Sequence, residues 1–154
     1  MNSKFRDLIR LTNNIYRYTQ VYLDKKLEKL NITTGSYPYL LVLNKNEGIS
    51  QNEISRELNV DKAMSARIIK KLIELEYVRK EENEKDIRAY KLFLTKRGRE
   101  VIPEIHNIIE EWTNMIIQGN EEEQIESSIE FLDKVLENAK EIKKNCCERM
   151  KNIE

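Results

Sequence analysis

Residues 49–95 read ISQNEISRELNVDKAMSARIIKKLIELEYVRKEENEKDIRAYKLFLT, and the changes of period inside this stretch decide the fold. Ser50-Gln51-Asn52-Glu53 has the pattern of a capping box, in which the Ser50 hydroxyl accepts from the Glu53 amide while the Glu53 carboxylate reaches back to the Ser50 amide. A helix is therefore expected to start at Ser50, with Ile54 and Leu58 on its apolar face. Asn59-Val60 interrupts that spacing, and Asp61 offers the cap of a second helix. From there Ser65, Ile68, Ile69, Leu72 and Leu75 recur at intervals of three and four, which turns them inward. Lys62, Ala63, Met64, Ala66, Arg67, Lys70 and Lys71 point elsewhere, and Ser65 is the weak member of the inner face. Two helices joined by a tight turn, the second with small and cationic outer residues, suit entry into a major groove. Residues 77–80 and 89–94 then alternate apolar and polar around a run, 81–88, too polar to bury, so a two-stranded hairpin is expected.

Helix, turn, helix and hairpin make a winged helix-turn-helix. The strings D-I-R-A-Y-K-L-F-L-T and T-K-R-G closely resemble the wing signature of the MarR family of bacterial transcriptional regulators, and the resemblance extends over nearly the whole chain. It implies a mainly α fold with a small β wing, built as one domain. Within it, a DNA-binding lobe is expected over 32–98, with dimerisation helices over 3–30 and 99–148.

The rest of the chain reads as helices around this lobe. Phe5, Leu8, Ile9, Thr12, Ile15, Tyr16, Thr19, Tyr22, Leu23, Lys26, Leu27 and Leu30 trace one long stripe free of Pro and Gly, predicting a helix over 3–30. Its own subunit cannot cover so long a stripe, so part of it should meet another chain. Pro38 belongs in a first helical turn, which places an N-cap among residues 34–36 and buries residues 39–43. Thr95 is suited to cap a helix with Ile102, Ile105, Ile108, Ile109, Trp112, Met115 and Ile116 on its apolar face. Pro103 lies well inside that helix, so a kink near Arg99 or a restart there is expected. Gly119 stops it, Asn120 with Glu123 is placed to cap a last helix, and Ile125, Ile129, Leu132, Val135, Leu136, Ala139 and Ile142 form its stripe. In the resembling family the first and last helices intertwine across a two-fold axis.

Composition bounds the function. With 154 residues, 40% hydrophobic and 35% charged, the chain suits one soluble domain with a real core. Its apolar runs fall far short of the roughly 20 residues a bilayer helix needs, and the N-terminus has no apolar secretory segment, so a cytoplasmic protein is expected. Net charge is zero, but it is the sum of +4 over residues 1–44, +4 over 45–99 and −8 over 100–154. The expected reading lobe thus lies in the cationic part, although a charge run is as often a plain solvated face. Phosphate-binding and nucleophile motifs are missing, four glycines leave little for cradling phosphates, and the single His106 has no partners at metal spacing. Catalysis is excluded on these grounds, and neither cofactor nor metal is expected. Cys146-Cys147, adjacent and near the terminus, are read as incidental thiols, with a redox switch or a disulfide across the dimer as alternatives.

The expected DNA contacts are Ser50, Lys62, Ala63, Met64, Ala66, Arg67 and Lys70 on the two helices and Lys85, Asp86 and Arg88 on the wing. Arg67 matches an arginine common in the family and either forks onto a guanine or holds phosphate, whereas Met64 and Ala66 offer apolar contact to thymine methyls. The family often has Ser or Thr at those two positions, so an A·T-rich palindromic operator is expected. Arg88 resembles the arginine that reaches the minor groove, with Asp86 positioning it and Lys85 meeting phosphate. Glu76 stands where the family usually has Gly, implying a different helix end or a left-handed glutamate. The resemblance also implies an effector cleft beside the winged lobe, to which Tyr16, Tyr37 and Trp112 are assigned for a small aromatic or amphipathic ligand. Two other readings stay open: a thiol-based sensor of the same family, and a winged-helix module for protein association.

Overall fold

The capping box forms as its spacing predicts. Ser50 Oγ accepts from the Glu53 amide at 3.3 Å, and Glu53 Oε2 accepts from the Ser50 amide at 2.7 Å. The computed structural model describes residues 3–83 and 86–151, with side chains over 5–82 and 90–146. Its elements run α1 (Ser3–Leu27), a 3-10 turn (Glu28–Leu30), α2 (Tyr37–Lys45), β1 (Ile49–Ser50), α3 (Gln51–Glu57), α4 (Lys62–Glu74), β2 (Val78–Asn83), β3 (Asp86–Leu94), α5 (Lys96–Ile117) and α6 (Glu122–Lys151). The first helix thus closes three residues earlier than its stripe suggests, tightening into the 3-10 turn before Asn31 takes a left-handed conformation.

The helix-turn-helix is defined by its ends. Asp61 Oδ1 accepts from the Met64 amide at 2.8 Å and so starts α4. Between α3 and α4, Asn59 is left-handed, its amide reaching Arg56 O and the Val60 amide reaching Ser55 O, a Schellman closure. The end of α4 repeats it: Glu76 sits at φ 60°, its amide bonds Ile73 O at 2.9 Å, and the Tyr77 amide bonds Leu72 O at 2.9 Å. Of the two readings for Glu76, the left-handed glutamate is the one realised. Leu72 and Tyr77, which flank this closure, are both buried, the hydrophobic contact that usually accompanies it.

The sheet has three strands where the alternation predicted two, in the order β1-β3-β2 and antiparallel throughout. Ile49 pairs with Leu92 and Ser50 with Lys91, so the two residues before α3 join the wing as an edge strand. A two-residue strand carries no periodicity, which is why the alternation misses it. On the other side Val78 opposes Leu94, Lys80 opposes Leu92 and Glu82 opposes Tyr90, with an irregularity after Glu82.

One core gathers these elements. Leu23 and Leu27 of α1, Tyr39, Leu40 and Leu43 of α2, Ile54, Ile69, Leu72, Leu92, Leu94 and Ile105 are all buried in it. Ser65, the weak member of the inner face, is fully buried and bonded to the Tyr39 hydroxyl at 3.1 Å, so its polarity is satisfied. Tyr77 donates from its hydroxyl to Leu30 O at 3.0 Å, tying the root of the wing to the end of the first helical segment.

Thr95 caps α5 as expected, accepting from the Gly98 amide at 2.9 Å while its hydroxyl donates to Glu76 O at 2.6 Å. Of the kink or restart expected near Arg99 on account of Pro103, the restart does not occur: α5 runs unbroken from Lys96 to Ile117 with Pro103 inside it. Val101, Ile102, Ile105 and Ile108 are buried on both sides of the proline, and this packing outweighs the one backbone bond that it removes. Asn120 also departs from expectation. Its side-chain amide donates to Ile117 O at 3.0 Å, closing α5 instead of opening α6.

Contacts divide the chain into two compact units, Met1–Thr113 and Asn114–Glu154, with the division inside α5. In the first unit the N-terminal part of α1 leaves Phe5, Ile9, Ile15, Tyr16 and Tyr18 exposed, Phe5 at 72%. In the second, α6 leaves Ile129, Phe131, Leu132, Leu136 and Ile142 exposed. No helix among the described residues is long and apolar enough to cross a membrane.

Candidate nucleic-acid interface

The two faces of α4 divide the work. Ser65, Ile69 and Leu72 are buried, which fixes the rotation of the helix about its axis. Lys62, Ala63, Met64, Ala66, Arg67, Lys70 and Lys71 are then necessarily outside, and all seven are exposed. Among the described residues Lys62 and Arg67 are in no ion pair, while Lys70 has only the distant Glu74 carboxylate, 3.9 Å away on the next turn. Such a pair between exposed side chains contributes little, so these cations remain free for an anionic partner. Gln51 donates to Lys62 O at 3.3 Å and braces the entry of α4 against α3. Ser50 stands at the same end, half-buried with its hydroxyl engaged in the capping box. The Ser50 amide holds the Glu53 carboxyl below the usual glutamate range, so the box is charged at neutral pH.

The wing is fixed at its root. Asp86 and Arg88 lie on β3, though their side chains are outside the described ones, and Lys85 lies outside the described residues altogether. Alternation along β2 sends its neighbouring cations to opposite faces. Arg79 lies over the Phe93 ring and pairs with Glu81 on the outer face. Lys80 lies over the Tyr90 ring, 4.6 Å from its centroid, on the face turned towards α4. Between wing and helix runs a groove of about 820 Å³ with Ile69, Ile73 and Leu92 in its lining and Lys70, Lys80, Gln51, Asn52 and Tyr90 around them. Lys80 and Tyr90 were missed from the sequence, although two-residue spacing from Val78 and from Leu92 assigns both to this face.

Of the three residues assigned to an effector, Tyr16 lies near Tyr37, and Trp112 has Tyr22 as its ring partner. Trp112 stacks on Tyr22 at 4.7 Å and donates from Nε1 to Thr19 Oγ1 at 2.9 Å. Tyr37 is half-buried, and burial, with Tyr16 nearby, pushes its phenol up from the ordinary value. Tyr22 is the member that the sequence did not single out, since it reads as one more residue of the α1 stripe. Its hydroxyl is buried without a hydrogen bond of good geometry, beside an ion pair between Lys26 and Glu111 at 3.1 Å. That pair holds the Glu111 carboxyl down and the Lys26 ammonium up from their ordinary values. Cys146 is exposed and unpaired on α6, and the Cys147 side chain is outside the described ones. His106 is exposed on α5, and among the described residues no three His, Cys, Asp or Glu side chains converge as metal ligands.

A buried inner face, a free cationic outer face and a wing beside it define a winged helix-turn-helix DNA-binding protein. Comparison with known proteins is more specific. Residues 30–89 match the profile of the MarR family. The HTH-type transcriptional regulator BilQ of Clostridioides difficile (strain CD3) is 36% identical over 115 residues, covering 75% of this chain and 78% of the relative. A MarR transcriptional regulator from Methanosarcina mazei Go1 superposes with a TM-score of 0.84 at 33% identity, over 89% of this chain and 99% of that one. A MarR family regulator from Listeria monocytogenes solved with 26mer DNA superposes at 0.79 with 27% identity, over 84% of this chain and 87% of that one. The chain belongs to the MarR family: it is a DNA-binding transcriptional regulator and not an enzyme.

Proposed function

We propose that this regulator acts in the cytoplasm as a homodimeric repressor that binds a short A·T-rich palindrome and releases it when a small aromatic or amphipathic molecule binds. The observation that carries the DNA reading is the outer face of α4, where Lys62 and Arg67 are in no ion pair among the described residues and Lys70 has only the distant Glu74, while its inner face is locked in the core. A relative of the same fold solved with DNA supports it. Dimerisation over 3–30 and 99–148, flanking a winged lobe over 32–98, is supported by the apolar residues that α1 and α6 each leave exposed, more than a soluble monomer usually shows. The two copies of α4 then address half-sites about one helical turn apart, with the wings in the flanking minor grooves.

In this reading Lys62, Lys70 and Lys85 meet phosphates, Ser50 and Ala63 line the backbone, Met64 and Ala66 meet thymine methyls, Arg67 meets a guanine or a phosphate, and Arg88, positioned by Asp86, enters the minor groove. The effector cleft takes Tyr16, Tyr37 and Trp112, joined by Tyr22. A duplex selected by the wild-type protein from a random pool provides the test. On it Arg88→Ala should weaken binding by about 1–3 kcal/mol per half-site with little change in central sequence preference, whereas Arg67→Ala relaxes one base pair or lowers the salt slope. Wild-type affinity in both variants would remove this surface from DNA recognition and favour a protein-association role. For the thiol-sensor alternative, the exposure of Cys146 is what speaks; Cys146→Ser should leave ligand-driven release intact, and loss of a peroxide response in that variant would promote the sensor.

A further inference from the structure

Adjacent major and minor grooves of a duplex are separated by one sugar-phosphate strand. A protein that puts a helix in the first and a hairpin in the second must straddle that strand with the space between helix and hairpin. Here that space is the groove of about 820 Å³ between α4 and the wing. One wall carries Lys70 and the other Lys80, with Gln51 and Asn52 near the capped end of α3. Its apolar lining, Ile69, Ile73 and Leu92, matches the sugar face of a backbone and offers no competing acceptor. Glu74, the one carboxylate among the described lining residues, lies within 3.9 Å of Lys70 and is largely solvated.

Lys80 is the unusual member. Its ammonium is 4.6 Å from the centre of the Tyr90 ring, a diagonal neighbour across the β2–β3 pair. Arg79, one residue earlier, is spent on Glu81 and Phe93 on the opposite face. Within the DNA reading proposed above, on which this rests, we infer that the groove is a slot for the backbone ridge, that Lys80 contacts its phosphate, and that the Tyr90 ring is a positioning residue for Lys80. The contact adds affinity without sequence preference, because a phosphate carries no base identity.

The test measures binding against salt on two duplexes, one selected from a random pool by the wild-type protein and one with that sequence scrambled. Lys80→Met keeps the side-chain stem and removes the charge. It should lower the slope of log K against log salt by about one unit per bound subunit, equally on both duplexes, while Lys80→Arg keeps the slope. Tyr90→Leu should weaken binding roughly two- to fivefold, Tyr90→Phe should bind as wild type, and Tyr90→Leu should cost nothing further in the Lys80→Met background. Thermal melting of each variant identifies any loss that is merely structural. An unchanged slope in Lys80→Met overturns the slot, and an equal loss from Tyr90→Leu in both backgrounds overturns the positioning role. Arg67→Ala in the same series separates the two levels: if it alone alters binding, the slot fails while the reading surface stands. Absence of salt-dependent binding by the wild type would sink both.

Discussion

Glu76 is a strained residue whose replacement by glycine should stabilise the protein. Its φ of 60° places it in the left-handed region, where an L side chain costs roughly 1–2 kcal/mol. The conformation is imposed from both sides: the Glu76 and Tyr77 amides close the end of α4 on Ile73 and Leu72, and the Glu76 carbonyl accepts the Thr95 hydroxyl. Glycine relieves the strain but adds about 0.4–1 kcal/mol of unfolded-chain entropy. The Glu76 carboxylate is 3.8 Å from Arg97, with 82% of the Glu76 and 53% of the Arg97 side chain exposed, so losing that pair removes almost nothing. Glu76→Gly should therefore gain about 0.5–1 kcal/mol, which raises the melting temperature by about 1–4 °C in a chain of this size. Glu76→Ala keeps the strain and loses only the ion pair, so it should melt as wild type; Glu76→Val, branched at Cβ, should melt lower. The assay is thermal unfolding by circular dichroism at one fixed protein concentration, since association would shift the midpoint. A glycine variant that melts at or below wild type, with the valine variant unaffected, would refute the assignment of strain.

Three further outcomes are expected. Gly98→Ala should destabilise by about 1–3 kcal/mol or more in denaturant melts, because the added Cβ would lie 2.1 Å from the Tyr77 carbonyl oxygen and backbone must move; the same change at Gly35, whose nearest neighbour would be 3.8 Å away, serves as control. Ser65→Ala should cost about 1–3 kcal/mol by leaving the buried Tyr39 hydroxyl without its partner, and the cost should shrink in a Tyr39→Phe background, a double-mutant cycle by chemical unfolding. The Glu53 carboxyl, held down by the Ser50 amide, adds stability that is fully present above its unfolded value of about 4.3 and is lost as pH falls through the lowered folded value. The stability gap between wild type and Glu53→Gln should accordingly narrow with acidification below about pH 4.5, and a gap independent of pH would count against the charged box.

What the sequence discloses here follows the range of the interaction responsible. The capping box at Ser50, the Asp61 cap and the three-four spacing through Leu72 are local, so α3 and α4 could be placed and the outward face of α4 written down residue by residue. Glu76 was legible as an anomaly only through the family resemblance, which puts Gly there; the left-handed close of α4 is a local feature that the structure supplies. Non-local features escaped. Strand β1 exists only because β3 arrives beside it, and α5 passes through Pro103 because residues on either side are buried by other elements. Asn120 has the right type for a cap, yet it serves the helix before it instead of the one after. Among the site residues, Lys80 and Tyr90 carry no motif and became visible only as two walls of one groove, and Tyr22 only as the ring beneath Trp112.

The two-residue strand before α3 has a mechanical consequence. Its neighbour Gly48 donates to Leu92 O at 2.8 Å, and Ile49 and Ser50 pair with Leu92 and Lys91, so the central strand of the wing is bonded to the residue whose side chain opens α3. Tilting the root of the wing would pull on that cap, and the cap holds the helix against which α4 is braced. Wing root and reading helix are thus tied together through the capped start of α3. A signal reaching such a unit has little to bend, and in the two-fold pair proposed above the quantity left to adjust is the span between two such units. Under the dimeric, effector-released function proposed above, regulation would then work as a ruler: an effector would succeed by a change in spacing, set against the fixed pitch of the double helix.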